Sequence, residues 1–306
     1  AATADLFINV SGASMIPDEL GAQCRRVFVD TDPGYNQILL VEPPEWAENA
    51  ERWRGAVHDH DVFFTYAENI GAPDCLVPLA GLEWHPTRMP IVQELWDMQP
   101  PPAPEMPWTT IATWNAFAGE LTYAGRTYRS KDAGFARLAD LPTRAEGSFL
   151  IALGGRDAPA AELARSGWKV VDGPSATLTA ELYRDFIGAS IGEVSAAKDV
   201  YSAMRTGWFS TRSACYLAAG RPVVVEDTGW SRYVPADGGL IGFTTTSEAS
   251  EGVAAVRGDL RFHSRAARDA AEYFDHRRVL REMLDTCFAA PSQPRADIAR
   301  GTPSDG

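Results

Sequence analysis

The run Gly207–Gly229, GWFSTRSACYLAAGRPVVVEDTG, constrains this chain more than any other segment, because it encodes a turn, a short helix, a glycine stop and a buried strand without interruption. Ser210, Thr211 and Ser213 can cap a helix whose first free N–H groups carry partial positive charge, and Arg212 adds a planar fork of donors. The helix continues through Ala214–Ala218 and stops at Gly220. Pro222-Val-Val-Val then gives an unbroken apolar run, the pattern of a parallel strand covered on both faces. That strand ends in Glu226-Asp227-Thr228-Gly229, and open α/β sheets bind ligands at the carboxyl ends of their strands. The run therefore predicts an α/β fold with a site for a phosphorylated ligand.

The rest of the chain narrows the partner. Its 306 residues hold one large or two ordinary domains, and 45% hydrophobic content supplies a real core. A formal net charge of −13 and a pI near 4.9 argue against nucleic acid or an anionic membrane as partner, while leaving room for a local basic pocket. Cys24, Cys75, Cys215 and Cys287 lie far apart without a CxxC pair, so neither a zinc site nor a disulfide framework is signalled. Reduced thiols and the lack of a ~20-residue apolar run point to a cytoplasmic protein without a membrane span. The chain begins at Ala1, directly upstream of the strand-like Leu6–Val10, which points to earlier sequence being missing.

In the first 98 residues, Leu6–Val10, Val27–Asp30, Val62–Tyr66 and Leu76–Leu79 read as strands of a parallel sheet. Gln99–Pro107, QPPPAPEMP, is too rich in proline for a helix or a central strand and marks a domain boundary. Beyond it, strands at Thr109–Thr113, Phe149–Leu153, Trp168–Val171, Gly192–Ala196 and Leu240–Phe243 alternate with helices near Lys131–Leu138, Ala158–Ser166 and Ala180–Ala189. Such alternation implies a doubly wound sheet with right-handed crossovers. His263–Phe288 reads as one charged helical stretch, and Ala289–Gly306 as a disordered tail.

Read in order, the second half resembles the nucleotide-binding domain of GT-B glycosyltransferases, in which two Rossmann-like domains face each other across a cleft. The likeness rests on Thr109–Asn115 followed by Lys131, on Glu193-Val-Ser-Ala-Ala-Lys198, and on the run from Gly207 to Gly229. Within that fold it is nearest to bacterial proteins carrying GWFS-x-RSACYLA-x-GRPVV-x-DTG. The first half is similar more loosely, through Asp30-Thr31-Asp32-Pro33-Gly34, Glu68-Asn69-Ile70-Gly71 and Gly81-x-x-Trp84-x-Pro86-Thr87-Arg88. The resemblance implies a partial acceptor-side domain at 1–107 and a domain for a nucleotide-sugar donor at 108–288. It also implies sugar transfer that needs no metal and no cofactor beyond the nucleotide sugar as co-substrate. One departure stands out: aligned on Ala219-Gly220, Gly207 and Cys215 occupy the positions where the large retaining families keep two glutamates, the second holding the ribose hydroxyls.

The candidate donor-binding residues follow. Ser210, Thr211, Arg212 and Ser213 meet the charge and geometry of a diphosphate, or form an ordinary helix cap with a surface arginine. Lys131 and Lys198 would neutralise the leaving nucleotide by the same resemblance, or are plain surface lysines. Asp227 and Thr228 can meet sugar hydroxyls beside Gly229, which lets the backbone approach closely; Asp-Thr-Gly equally suits a turn. For a general base, Asp32, Glu68 and His85 are candidates from loops of the first domain, each with a structural alternative. Asp30-Thr-Asp32 imitates a metal-binding D-x-D pair, and His58-Asp-His60-Asp is metal-like in composition, but a strand exit and a polar loop explain them more simply.

Three functions are compatible with these residues. The leading one is glycosyl transfer; the others are a GT-B-like epimerase of nucleotide sugars and a degenerate transferase that binds a sugar nucleotide or serves as a partner. On the leading reading, Arg212→Ala weakens nucleotide binding without unfolding the protein.

Overall fold

Four short apolar runs build the first sheet in the computed structural model, which describes residues 3–47, 49–96, 102–114, 121–235 and 238–289. The strands β1 (Leu6–Val10), β2 (Arg25–Asp30), β3 (Val62–Thr65) and β4 (Trp84–Pro86) lie side by side in that order, all parallel. The expected strand at Leu76–Leu79 does not form. Pro78 removes an amide from that run, and Leu76 and Leu79 are exposed, so they bring no buried face to a sheet. Trp84, buried against Phe28 and Phe63, brings β4 in as the fourth strand instead.

The second sheet comprises β5 (Trp108–Thr113), β8 (Phe149–Gly154), β9 (Trp168–Asp172), β10 (Gly192–Ser195), β11 (Val223–Glu226) and β12 (Leu240–Phe243). A separate antiparallel hairpin, β6 (Leu121–Tyr123) and β7 (Arg126–Tyr128), follows β5. All six strands of the sheet are parallel, in the order β12-β11-β10-β5-β8-β9. The chain thus starts in the middle, winds outward to β9, then returns past β5 to β10 and winds the other way. The strand order reverses between β5 and β10, and that crevice is where doubly wound sheets bind ligands. Trp108, Phe135, Phe149 and Trp168 fill the layer on one side of the switch point.

The charged C-terminal stretch is three elements rather than one: helix Leu260–Ala271, a single 3₁₀ turn at Glu272–Phe274 and helix His276–Ala289. The ladder is interrupted because Phe274 O accepts from Ile91 N at 2.8 Å and Ile91 O accepts from His276 N at 3.1 Å. These bonds aim the last helix at the first sheet, where Val279, Met283 and Cys287 join the cluster that holds Val27, Val29, Val62 and Phe64. Residues 99–101 of the proline-rich connection, Asn115 and the expected tail from 290 to 306 lie outside the described residues.

Across the cleft the two sheets are tied by backbone bonds from Asn69 N to Thr206 O (3.0 Å) and from Leu76 N to Met204 O (2.9 Å). Asn69 Nδ2 also donates to Arg205 O, and Asn69 Oδ1 accepts from Tyr233 Oη at 2.7 Å. Gly207 sits at this seam with φ +75°, and a Cβ there would lie 2.5 Å from Asn69 N. Only glycine satisfies both the left-handed backbone and the close approach.

Candidate functional site

Helix Thr211–Ala218 starts at the cleft, with Ser210 at its N-cap in extended backbone (φ −73°, ψ 132°), yet no side chain caps it. Its first amides therefore stay available, with the positive end of the helix dipole, to whatever occupies the space ahead of them. That space is a small, open-mouthed recess at the carboxyl ends of β10 and β11, lined by Ala197, Trp208, Ser210, Ser213, Glu226 and Trp230 among others. Ser213 is 1% exposed and its Oγ is buried without a hydrogen-bond partner. A buried hydroxyl normally finds a partner, so an unpartnered one in a recess wall marks a place for a ligand atom. Thr211 is exposed on the first turn.

Arg212 faces inward. Its Nε donates to Glu193 Oε1 at 2.5 Å, Nη1 to Ile111 O at 2.6 Å and Nη2 to Ser195 Oγ at 2.6 Å. Ile111 belongs to β5 and Ser195 to β10, so this side chain bridges the switch point. Glu193 is completely buried and its second oxygen has no partner. A carboxylate inside a fully buried central strand is a sequence signal of a buried cation, and Glu193 carries that signal on β10.

Lys131 opens helix Lys131–Ala136 and points Nζ at Ile111 O, 3.4 Å away. Burial, together with the charges of Arg212 and Lys198 and against the attraction of Glu193, holds its ammonium well below the usual lysine range. Lys131, Lys198 and Arg212 thus share one electrostatic neighbourhood, of which Arg212 lines the recess. Lys198 reaches across the cleft to Asp32, Nζ to Oδ1 at 2.5 Å, and Tyr201 Oη donates to the same oxygen. Partial burial opposes ionisation of Asp32, but the Lys198 charge and these two hydrogen bonds outweigh it and hold the carboxyl below the usual range.

The other candidates lie elsewhere. Glu68 accepts from Arg88 through both oxygens, at 3.0 and 3.2 Å, and from Tyr273 Oη at 3.0 Å, an anchor for the chain entering the last helix. Burial raises its pKa despite those partners. His85 is half-buried on β4 with its ring against Phe64. Asp227 accepts from Gly229 N and Ser231 N through Oδ1 and from Ser231 Oγ through Oδ2, while Thr228 Oγ1 donates to Trp208 O. Both hold the turn after β11, in which Gly229 has φ +103°. Asp30 is buried and accepts from Thr65, Asn36 and Gln37 side chains and from Asp32 N, which occupies it inside the fold. His60 is buried between Phe7 and Phe28 and pairs with Val57 O.

Two Rossmann-like sheets facing across a cleft, with an uncapped helix start at the switch point of the second, define the architecture. This is the GT-B glycosyltransferase fold. The chain is similar over 95% of its length to AviGT4, a glycosyltransferase of avilamycin A biosynthesis, covering 77% of that protein at 13% identity and a TM-score of 0.55. It is similar over 92% to sucrose-phosphate synthase from Thermosynechococcus elongatus, covering 72% of it at 12% identity and a TM-score of 0.56. A third likeness is to an α-glucosyltransferase solved with UDP: 93% of this chain and 81% of that one, 12% identity, TM-score 0.56. No protein-family model matches the chain, and no curated protein matches it. Among the described residues, no helix is long and apolar enough to cross a membrane.

Proposed function

We propose that this chain transfers a sugar from a nucleotide-sugar donor to an acceptor hydroxyl, with the donor diphosphate at the start of helix Thr211–Ala218. One observation carries the reading: an uncapped helix N-terminus at the switch point faces a recess lined in part by Ser213, whose buried Oγ has an unused hydrogen bond. The diphosphate would accept from those amides and from Ser213, with Lys131 and Lys198 supplying, in place of a metal, positive charge against the negative charge that develops on the leaving group. The acceptor would lie against the first sheet, on the side of Asp32. Donor binding that draws Lys198 toward the diphosphate would free Asp32 from its counter-ion, raising its basicity at the moment an acceptor proton has to be taken. Of the three candidate bases, Asp32 is the one in contact with the lysine from the other side of the cleft, which favours it over Glu68 and His85.

One observation favours a second reading, a binding protein that transfers nothing. Gly207 is dictated by the close approach of Asn69, and Cys215 is buried, so neither position of the common glutamate pair offers a carboxylate to a ribose. A thermal-shift screen with UDP, GDP, ADP and dTDP, followed by a hydrolysis assay with the sugar ester of whichever binds, separates the readings. Ligand binding to the folded state alone raises the melting temperature. A shift with slow release of free sugar supports transfer, a shift without any release supports binding only, and no shift removes both. UDP comes first in the screen because the similar α-glucosyltransferase was solved with it.

A further inference from the structure

Glu226 closes one side of the recess. It is the last residue of β11, its side chain is 5% exposed, and it lines the same space as Ser213 and the helix start. One oxygen accepts from Arg137 Nη2 and the other from Ala197 N at 3.0 Å. An ionised carboxylate has about four acceptor positions, and these two bonds use half of them. Trp208, half-buried, lines the same recess.

A carboxylate is the wrong group to meet a diphosphate, since two negative charges at close range repel. It is the right group for neutral hydroxyl donors, because O–H···O⁻ bonds are about twice as strong as neutral ones. The recess therefore divides by charge. The helix start and Ser213 suit an anion, whereas Glu226 with Trp208 in the same lining suits a group that carries hydroxyls on one side and C–H on the other. That description fits a pyranose.

We infer that Glu226 binds the hydroxyls of the transferred sugar and is the carboxylate that selects it, a role that rests on the donor-site reading above. Asp227, its neighbour in sequence, points its oxygens into the turn at Gly229 and Ser231. Successive side chains leave a strand on opposite faces, so the two carboxylates serve different ends. Arg137 keeps Glu226 oriented from helix Lys131–Ala136, where it stands at the C-cap.

The test is calorimetric titration of the full chain and of Glu226→Gln with UDP, GDP, ADP and dTDP and with their glucose, galactose, mannose and N-acetylglucosamine esters. The glutamine oxygen can still accept from Ala197 N, so the fold is preserved. The bare diphosphate that binds is expected to bind both proteins alike, while at least one of its sugar esters loses roughly tenfold or more in affinity on Glu226→Gln. Equal weakening of ester and bare diphosphate, or no weakening of any ester, overturns the inference and leaves the donor site standing. Absence of binding by any diphosphate to the unmodified chain removes the donor-site reading and the inference together. Should Glu226→Gln not fold, Glu226→Asp, which keeps the charge and withdraws it by one methylene, is read in the same way.

Discussion

Arg212 Nε lies 2.5 Å from Oε1 of Glu193, a carboxylate with no exposure to water. The guanidinium also holds Ile111 O and Ser195 Oγ, so one side chain fastens helix Thr211–Ala218 to both strands of the switch point. This changes the meaning of a substitution there. Arg212→Ala strands the Glu193 charge inside the sheet, and losing one partner of a buried pair costs about 3–5 kcal/mol. Urea unfolding is expected to show that loss, with Arg212→Lys recovering only part because an ammonium cannot reproduce the planar fork. An Arg212→Ala midpoint equal to that of the unmodified chain would show that Glu193 does not depend on it.

That pair also shows where sequence reading stops. The elements were legible where the signals are local: Leu240–Phe243 is a strand as expected, and the alternation after Trp108 gave the doubly wound order. The serine-rich start and glycine stop of helix Thr211–Ala218 were legible for the same reason. The direction of a side chain at an element's edge was not. Arg212 and Ser213 are neighbours on one helical turn, yet only the partners of each, 19 positions away or absent, decide which is clamped and which is free. Likewise Val-Val-Val-Glu-Asp does not state the phase of its last residues, so Glu226 was passed over in favour of Asp227. The break before helix His276–Ala289 depends on Ile91, a partner nearly two hundred residues earlier that no local pattern reports.

Ser213→Ala separates binding from stability. The buried Oγ contributes no bond to the fold, so its removal is expected to leave the urea midpoint unchanged or slightly raised. Affinity for the diphosphate found in the screen is expected to fall about fivefold, the value of one hydrogen bond. A stability loss without an affinity loss would make Ser213 a packing residue.

Gly207→Ala acts on the seam between the sheets. The left-handed backbone costs an alanine of order 1–3 kcal/mol, and its Cβ would meet Asn69 N at 2.5 Å. The expected result is a lower melting temperature together with a larger radius of gyration in small-angle X-ray scattering, as the two sheets separate. A lower melting temperature at constant radius would place the strain within the loop alone.

Lys131 makes donor binding depend on pH. Burial and the neighbouring cations lower its pKa in the folded chain, so the unfolded chain binds more protons between the folded value and the ordinary ~10.4. Stability therefore rises with pH through that window. A bound diphosphate reverses the shift, because a nearby anion favours the ammonium. Calorimetry in buffers of different ionisation enthalpy is expected to show proton uptake on nucleotide binding at pH values within that window, lost in Lys131→Met. Proton release, or uptake that survives Lys131→Met, would remove Lys131 from the site.

The donor site is tested by a crystal structure of the chain with the nucleoside diphosphate that gives the largest thermal shift. A phosphate oxygen is expected within about 3.2 Å of Ser213 Oγ and of an amide in the first turn of helix Thr211–Ala218, with Lys198 turned from Asp32 toward the diphosphate. A diphosphate bound away from that helix start, with the Lys198–Asp32 pair intact, would contradict it.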